Sequence, residues 1–381
     1  MRLVHGLLAT AVGGLISSTP AIGQATAQSD ARLGKISNQY ICTLDESTPR
    51  GNVRAEAARA AGPVLGEILH TYEHTIKGFA VRAAAQPGKN IVAEMKRANP
   101  KIAGCEQDQV MKAFVVQKGG GAPAAQSTPW GITRVGGAGS TSSSTAWVID
   151  SGIDLDHPDL NVDVARSISF VSGGDPDDKN GHGTHVAGTI AAKANGIGVV
   201  GVSPGTKVVA VRVLGASGSG STSGVIKGVD YVGANGVSGD VANMSLGGGV
   251  SQALDDAVIA AAAKKGIRFT LAAGNESDTA NNHSPAAAGG RSSSDTVYTV
   301  SAFGEAGDRF ASFSNYGNPP IEWAEPGVGV LSTYKGGAYA TMSGTSMAAP
   351  HLAGILVQGG VRKCGDVTGD RDSNADDIGC R

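Results

Sequence analysis

Charge and aromatic rings are scarce in this chain. Charged residues fill 17% of its 381 positions and aromatic residues 4%, against roughly 25% charge in an average globular domain. The formal net charge is −2 and no basic run stands out, so nothing in the charge pattern points to nucleic acid as a partner. Beyond the first thirty residues no apolar run reaches the ~18 residues of a membrane-crossing helix, so no membrane anchor is expected. Cysteine is limited to four residues, in two distant couples: Cys42 with Cys105 and Cys364 with Cys380. Pairing within each couple is the simplest of three connectivities; buried free thiols are the alternative. No internal repeat appears.

Glycine, in contrast, is abundant. There are 57 in 381 residues, about twice the usual ~7%, which predicts many tight turns and close backbone approaches. The first residues, "MRLVHGLLATAVGGLI", join a basic start at Arg2 to a short apolar stretch, and Ala25 and Ala27 fit a cleavage site. Residues 1–27 therefore read as a secretory signal, with an extracellular or periplasmic destination.

Residues 28–120 have their own texture. "NQYICTL" (38–44) reads as a strand, "VRAEAARAAGPVLGEILH" (53–70) as a helix with a break at Gly62-Pro63, and "HTIKGFAVRA" (74–83) as a strand or hairpin. "NIVAEMKRANP" (90–100) reads as a helix capped by Asn90, and "KIAGCEQDQV" (101–110) as a strand. This β-α-β-β-α-β order is the split βαβ, ferredoxin-like arrangement of a small α+β unit. The Gly/Ala/Pro-rich "KGGGAPAAQST" (118–128) reads as an exposed linker. From there to residue 381, short apolar runs alternate with helical ones: "TAWVID" (145–150), "TKVVAVRVL" (206–214), "DVANMSL" (240–246), "IRFTLAAG" (267–274) and "TVYTVSAF" (296–303). Such alternation predicts an α/β fold with a parallel central sheet and helices on both faces. Residues 251–266 read as a helix capped by Ser251 and stopped by Gly266.

Three stretches carry chemistry. "AWVIDSGIDLDHPDL" puts Asp150 at the carboxyl end of a buried strand. "NGHGTHVAGT" opens a small-residue helix with His182 and His185, and "MSGTSMAAPHLAG" opens another with Ser346. Sites in open α/β sheets form beyond the carboxyl ends of strands. A serine needs an adjacent base to act as a nucleophile, and that base needs a carboxylate to orient it. Zinc is a poor reading of His182 and His185, because the glutamate of H-E-x-x-H is missing. An esterase usually shows G-x-S-x-G around its nucleophile, whereas Ser346 sits in G-T-S-M.

In these three motifs, and in the order Asp150, His182, Ser346, residues 125–356 resemble the subtilisin-like serine proteases, including the proteinase K branch. The resemblance implies a serine endopeptidase that cuts proteins and peptides through an acyl-enzyme on Ser346. His182 would be the base, with His185 a packed core histidine, and Asn275 in "LAAGNES" would be an oxyanion donor. It implies substrate-binding segments at Ser245, Leu246 and Gly247 and at Ala273 and Gly274, with a substrate strand added along 245–247. "HSPAAAGG" (283–290) would form a floor of small residues, favouring large apolar or aromatic side chains before the cut. An inactive, protein-binding relative is the rival outside enzymes. The acidic run "GDPDDKNGHG" (174–183) reads as a solvated loop.

The same resemblance implies a structural Ca²⁺ site built from Gln126, Asp159 and the loop 193–199, through the Asn195 side chain and the carbonyls of Lys193, Ile197 and Val199. It also implies that residues 28–120 are an inhibitor-type propeptide, as "GFAV" (78–81) and "CEQDQV" (105–110) suggest, removed by the enzyme itself to leave a monomeric catalytic domain, 121–381. The new terminus is expected between Lys118 and Ala125. The tail 364–381 departs from the family pattern. Asp366, Thr368, Asp370 and Asp377 take EF-hand-like places, but Arg371 stands where glycine is wanted, so a disulfide-closed acidic loop is the better reading.

Overall fold

The structure, a computed structural model, describes residues 34–381 except 87, 116, 121–124 and 294, with the side chains of 117–120 also left aside. The expected secretory signal lies outside the described residues.

The larger unit is built on a ten-stranded sheet. Strands Ile321–Pro326, Val297–Gly304, Arg268–Ala272, Val241–Met244, Ala146–Asp150 and Val208–Arg212 lie side by side in that order, all parallel. Ala146–Asp150, the first of them along the chain, explains the architecture. Trp147 and Ile149 point to one face, with Val209 and Val211, and pack under helices Thr222–Asn235 and Gln252–Lys265. Ala146 and Val148 point to the other, under helices His182–Ala191 and Thr345–Leu356. A strand covered on both faces can be apolar throughout, and all five residues of this one are buried. Strand order reverses at Ala146–Asp150, with Val208–Arg212 on one side and Val241–Met244 on the other. The crevice opens at such reversals.

The expected helix over 251–266 forms as Gln252–Lys265. Ser251 Oγ accepts from Leu254 N–H at 3.2 Å, and Gly266 closes the helix in the left-handed region.

Residues 35–113 form the expected β-α-β-β-α-β unit, with spatial strand order Ile102–Ala113, Lys35–Leu44, Gly78–Arg82, Glu67–Tyr72, all antiparallel. One boundary differs. The helix expected to run to residue 70 ends at Ala61, and Glu67–Tyr72 is a strand. The alanines sustain the helix as far as Gly62-Pro63. Leu65 then turns into the left-handed region, and Ile68, Thr71 and Tyr72 favour extended backbone. Cys42 and Cys105 sit directly opposite on neighbouring strands and are bonded.

This unit lies across helices Thr222–Asn235 and Gln252–Lys265. Asp108 accepts from the Ser223 N–H at 3.0 Å, and Glu106 from the Ser251 hydroxyl, so each helix start meets a carboxylate. Reciprocally, buried Asp230 accepts the N–H groups of His74 and Thr75 at 2.7 and 2.9 Å. Ile41, Tyr72 and Met111 join the apolar core of the larger unit.

Two expectations about loops change. At the start of the expected linker, the overlapping strand Gln117–Gly120 pairs antiparallel with Ala338–Ser343. The tail is more than a closed loop: Arg362–Asp366 and Asp377–Cys380 form a hairpin, closed by Cys364–Cys380, that adds to the sheet beside Ile321–Pro326. Lys363 Nζ lies 2.6 Å from Asp366 and 2.7 Å from Asp377. An ammonium thus occupies the first and last EF-hand-like places.

Candidate active site

Asp150 ends its strand fully buried. Its Oδ1 accepts from His182 Nδ1 at 2.8 Å, which leaves Nε2 of that ring as the basic atom. His182 opens its helix. Gly183 follows because the chain there presses on the backbone of Gly152, where a Cβ would collide.

The helix start is organised by a residue the sequence reading missed. Asp178, taken as part of a solvated acidic loop, is 4% exposed. Its Oδ1 accepts from the Ser151 hydroxyl at 2.9 Å and the Gly181 N–H at 2.8 Å; Oδ2 accepts from Thr184 N–H and Oγ1 at 2.9 and 2.7 Å. One carboxylate therefore fastens the residue after Asp150 to the turn that carries His182. Only its position four residues before His182 hinted at this.

His185 is a core residue, as expected. Its Nε2 donates to the carbonyls of Val330 and Ala340, both at 3.0 Å. Burial pulls its pKa down to about 3.

Ser346 lies in the first turn of helix Thr345–Leu356. Its Oγ donates to the Ser245 carbonyl at 2.9 Å and accepts from the Phe114 N–H at 3.1 Å. His182 Nε2 is buried with no hydrogen-bond partner, and so are Asp150 Oδ2 and Asn275 Nδ2. The Asp–His contact is closed and the His–Ser contact is open. Asn275 is fixed through its oxygen, which accepts from Thr345 N–H and Oγ1 at 2.9 Å each.

The predicted substrate-binding residues flank this centre. Leu246 and Gly247 pair antiparallel with Ala113 and Lys112. Ser245 bonds Ser346 through its carbonyl and through its hydroxyl, which donates to Ser346 O at 2.8 Å. Ala273 and Gly274 form the opposite backbone, tied to Val300 O and Thr345 Oγ1. Beside them runs a cavity of about 820 Å³ lined by Gly247–Gly249, Asn275, Glu276, Asn282 and His283, with Phe114 in its wall. The expected floor of small residues is thus only part of the picture. His283 lines the cavity, with its ring nitrogens 3.2 Å from Asp278 and 3.8 Å from Glu276.

The six residues expected to hold calcium do meet. Gln126 Nε2 lies 2.7, 3.1 and 3.2 Å from the carbonyls of Lys193, Ile197 and Val199, and 3.4 Å from Asn195 Oδ1. An amide nitrogen has two protons, so four oxygens around one of them exceed what it can satisfy. Asp159 Oδ2 accepts from the Val199 N–H, while its Oδ1 is buried and unpartnered, and burial raises its pKa. Carbonyls, amides and one carboxylate suit a hard cation such as Ca²⁺. Among the described residues, no three His, Cys, Asp or Glu side chains gather to hold a metal.

Residues 141–358 match the model of the subtilase family. An alkaline serine exoprotease A of Vibrio alginolyticus is 38% identical over 78% of this chain and 54% of its own length. The M-protease of Shouchella clausii is 39% identical over 76% of this chain and 70% of its own. The crystal structure of a cold-adapted subtilisin-like serine proteinase superposes with a TM-score of 0.57 at 38% identity, over 65% of this chain and 96% of that one.

Proposed function

This chain belongs to the subtilase family, and from that premise we propose that it is a secreted serine endopeptidase that processes itself. Its substrates are proteins and peptides with large apolar or aromatic side chains before the cut. The observation that carries the reading is the set of buried polar atoms left without partners, His182 Nε2 and Asn275 Nδ2, in the cleft that Ser346 faces. Native structures leave few such atoms, and a reaction centre is where they are expected.

In the proposed reaction Ser346 Oγ leaves the Ser245 carbonyl and gives its proton to His182 Nε2 as it attacks the peptide carbonyl. Asp150 holds the imidazole and stabilises its positive charge. Asn275 Nδ2 and the Ser346 N–H receive the developing oxyanion. His182 then protonates the leaving amine, and water releases the acyl group from Ser346. The 35–113 unit acts as the inhibitor in cis, supported by its lie across the two helices and by the strand it lends to Leu246–Gly247. Secretion follows from the signal-like start; among the described residues no helix is long and apolar enough to cross a membrane. The released domain works as a monomer.

Calcium, when bound, supplies charge that pulls Gln126, Asp159, Asn195 and the carbonyls of Lys193, Ile197 and Val199 together. A bound ion would tie Gln126, near the end of the linker, to the loop beyond the His182 helix. A serine-directed fluorophosphonate tests the enzymatic reading: labelling at Ser346 with parallel loss of casein hydrolysis is expected. Labelling elsewhere, or casein hydrolysis that survives full labelling, would overturn it.

A further inference from the structure

We propose that the first bond this chain cuts is its own Phe114–Val115. The inference rests on the proposed role of Ser346 and goes beyond it, because it names the substrate bond and displaces the terminus expected between residues 118 and 125.

The register comes first. Strand Ile102–Ala113 runs antiparallel to Leu246–Gly249, with Lys112 opposite Gly247 and Ala113 opposite Leu246. One step further brings Phe114 level with Ser245. There its N–H donates to Ser346 Oγ at 3.1 Å, so the residue in register with the serine is Phe114. Phe114 is 8% exposed, and its ring lies against Gly247, where a Cβ would collide with the ring edge. A glycine at 247 is therefore what lets the ring in.

The carbonyl is the reacting group, and it too is located. A Cβ built on Gly344 would collide with Phe114 O and lie 3.0 Å from Asn275 Nδ2. The carbonyl oxygen and the unpartnered amide thus border the same glycine, one residue before Thr345–Ser346. Beyond the bond, the chain is caught again. Gln117–Gly120 pairs with Ala338–Ser343, Gln117 opposite Ser343. Backbone pairing grips the chain on both sides of Phe114–Val115, as it would an extended substrate. Residues 118–120, within the expected terminus, are paired on the far side of the serine and cannot reach it without peeling away from Ala338–Ser343.

The step balances with water as the only co-reactant. Ser346 Oγ turns from Ser245 O to His182, loses its proton there and bonds the Phe114 carbonyl carbon. The Phe114–Val115 C–N bond breaks, the proton on His182 passes to the Val115 nitrogen, and an ester joins Phe114 to Ser346. Water hydrolyses that ester. The products are a chain ending in the Phe114 carboxylate and one beginning with the Val115 amine.

The experiment follows the full chain, as expressed, by intact mass and amino-terminal sequencing over time. Alongside it runs hydrolysis of a short peptide nitroanilide with phenylalanine before the bond. Wild type should yield paired fragments meeting at 114/115, and Ser346→Ala should yield neither. Phe114→Asp should slow that cut at least about tenfold, the size of effect expected for losing one apolar side chain from a pocket. Phe114→Tyr should restore it, which separates a lost pocket contact from failed folding. Active wild type added to the Ser346→Ala chain should open the same bond. A first terminus within 118–125 from a chain that hydrolyses the peptide would overturn the bond and leave the protease reading standing. Equal cutting at 114/115 in Ser346→Ala would assign the bond to another protease and overturn self-cleavage. An uncut chain that does not hydrolyse the peptide would overturn both readings.

Discussion

Two of the regions that hold buried polar atoms without partners differ in what those atoms face. In the cleft, His182 Nε2 and Asn275 Nδ2 stand in the centre where the Phe114 peptide lies against Ser346. Under the far edge of the sheet, both carboxyl oxygens of Glu325 and one of Asp376 are unpartnered, with the Arg134 guanidinium near enough to pull on Glu325 but not bonded to it. Burial pushes the Glu325 pKa well above its ordinary value, against the pull of Arg134. Burial, with Asp370 and Asp372 nearby, pushes Asp376 up to about 7 despite its bond from Ser301. Desolvation is common to both regions; only in the cleft do the orphaned atoms converge on one bond. An unsatisfied group marks a reaction centre when its neighbours share its target, and marks strain when they do not.

The largest test of that contrast removes Asn275, after Ser346 itself. Asn275→Ala should lower kcat by about 10²–10³ with little change in KM, a magnitude that comes from subtilisin. Single-turnover kinetics on a nitroanilide peptide would check it, and an equal loss in KM alone would contradict it. Asp178→Ala comes next. It strands buried donors from Ser151, Gly181 and Thr184, so stability should fall by about 3 kcal/mol or more in denaturant melts. Asp178→Asn should fold better and still lose kcat.

Chelation should act at a third place. Withdrawing calcium should remove about 2.7 kcal/mol, for an ion present at about a hundred times its Kd, and lower the Tm. Gln126→Ala and Asp159→Asn should blunt the response to chelator, and unchanged melting would rule the cage out.

The last effects lie at the sheet edge and depend on pH. Glu325 and Asp376 have raised pKa values in the fold, so the folded chain holds protons that the unfolded chain gives up. Their contribution is present in acid and is lost as pH rises, for Asp376 from about 4 towards 7. Asp376→Asn and Glu325→Gln should therefore raise the Tm at pH 8 and leave it nearly unchanged at pH 4. His185 and His351 have the opposite sign. Burial lowers them to about 3 and about 4, so their contribution is present above about 6.5 and lost as pH falls. Melting curves at both pH extremes would separate the two pairs.

Much of the site was legible because its residues lie in contiguous motifs. Asp150 ends a strand, His182 and Ser346 open helices, and Asn275 lies in the loop just beyond Arg268–Ala272, where local sequence sets the backbone. Asp178 was hidden because one buried carboxylate lies in an acidic run whose other members face water, and composition cannot say which one turns inward. Phe114 was hidden because a substrate residue has no signature of its own; its ring contact with Gly247, more than a hundred residues away, gives it meaning. The strand Glu67–Tyr72 was lost to a helical alanine run. The tail hairpin was lost because an edge strand is defined by its neighbour Ile321–Pro326 and not by its own residues.

The most direct measurement is kcat/KM for a peptide nitroanilide carrying phenylalanine before the bond, on processed wild type and on Ser346→Ala freed of its amino-terminal unit by an added protease. A fall of about 10⁶ in kcat, the size known for this serine in subtilisin, is the predicted result. Retention of more than about a hundredth of the wild-type rate by Ser346→Ala would contradict the account, because the cleft would then be cutting peptides by some other group.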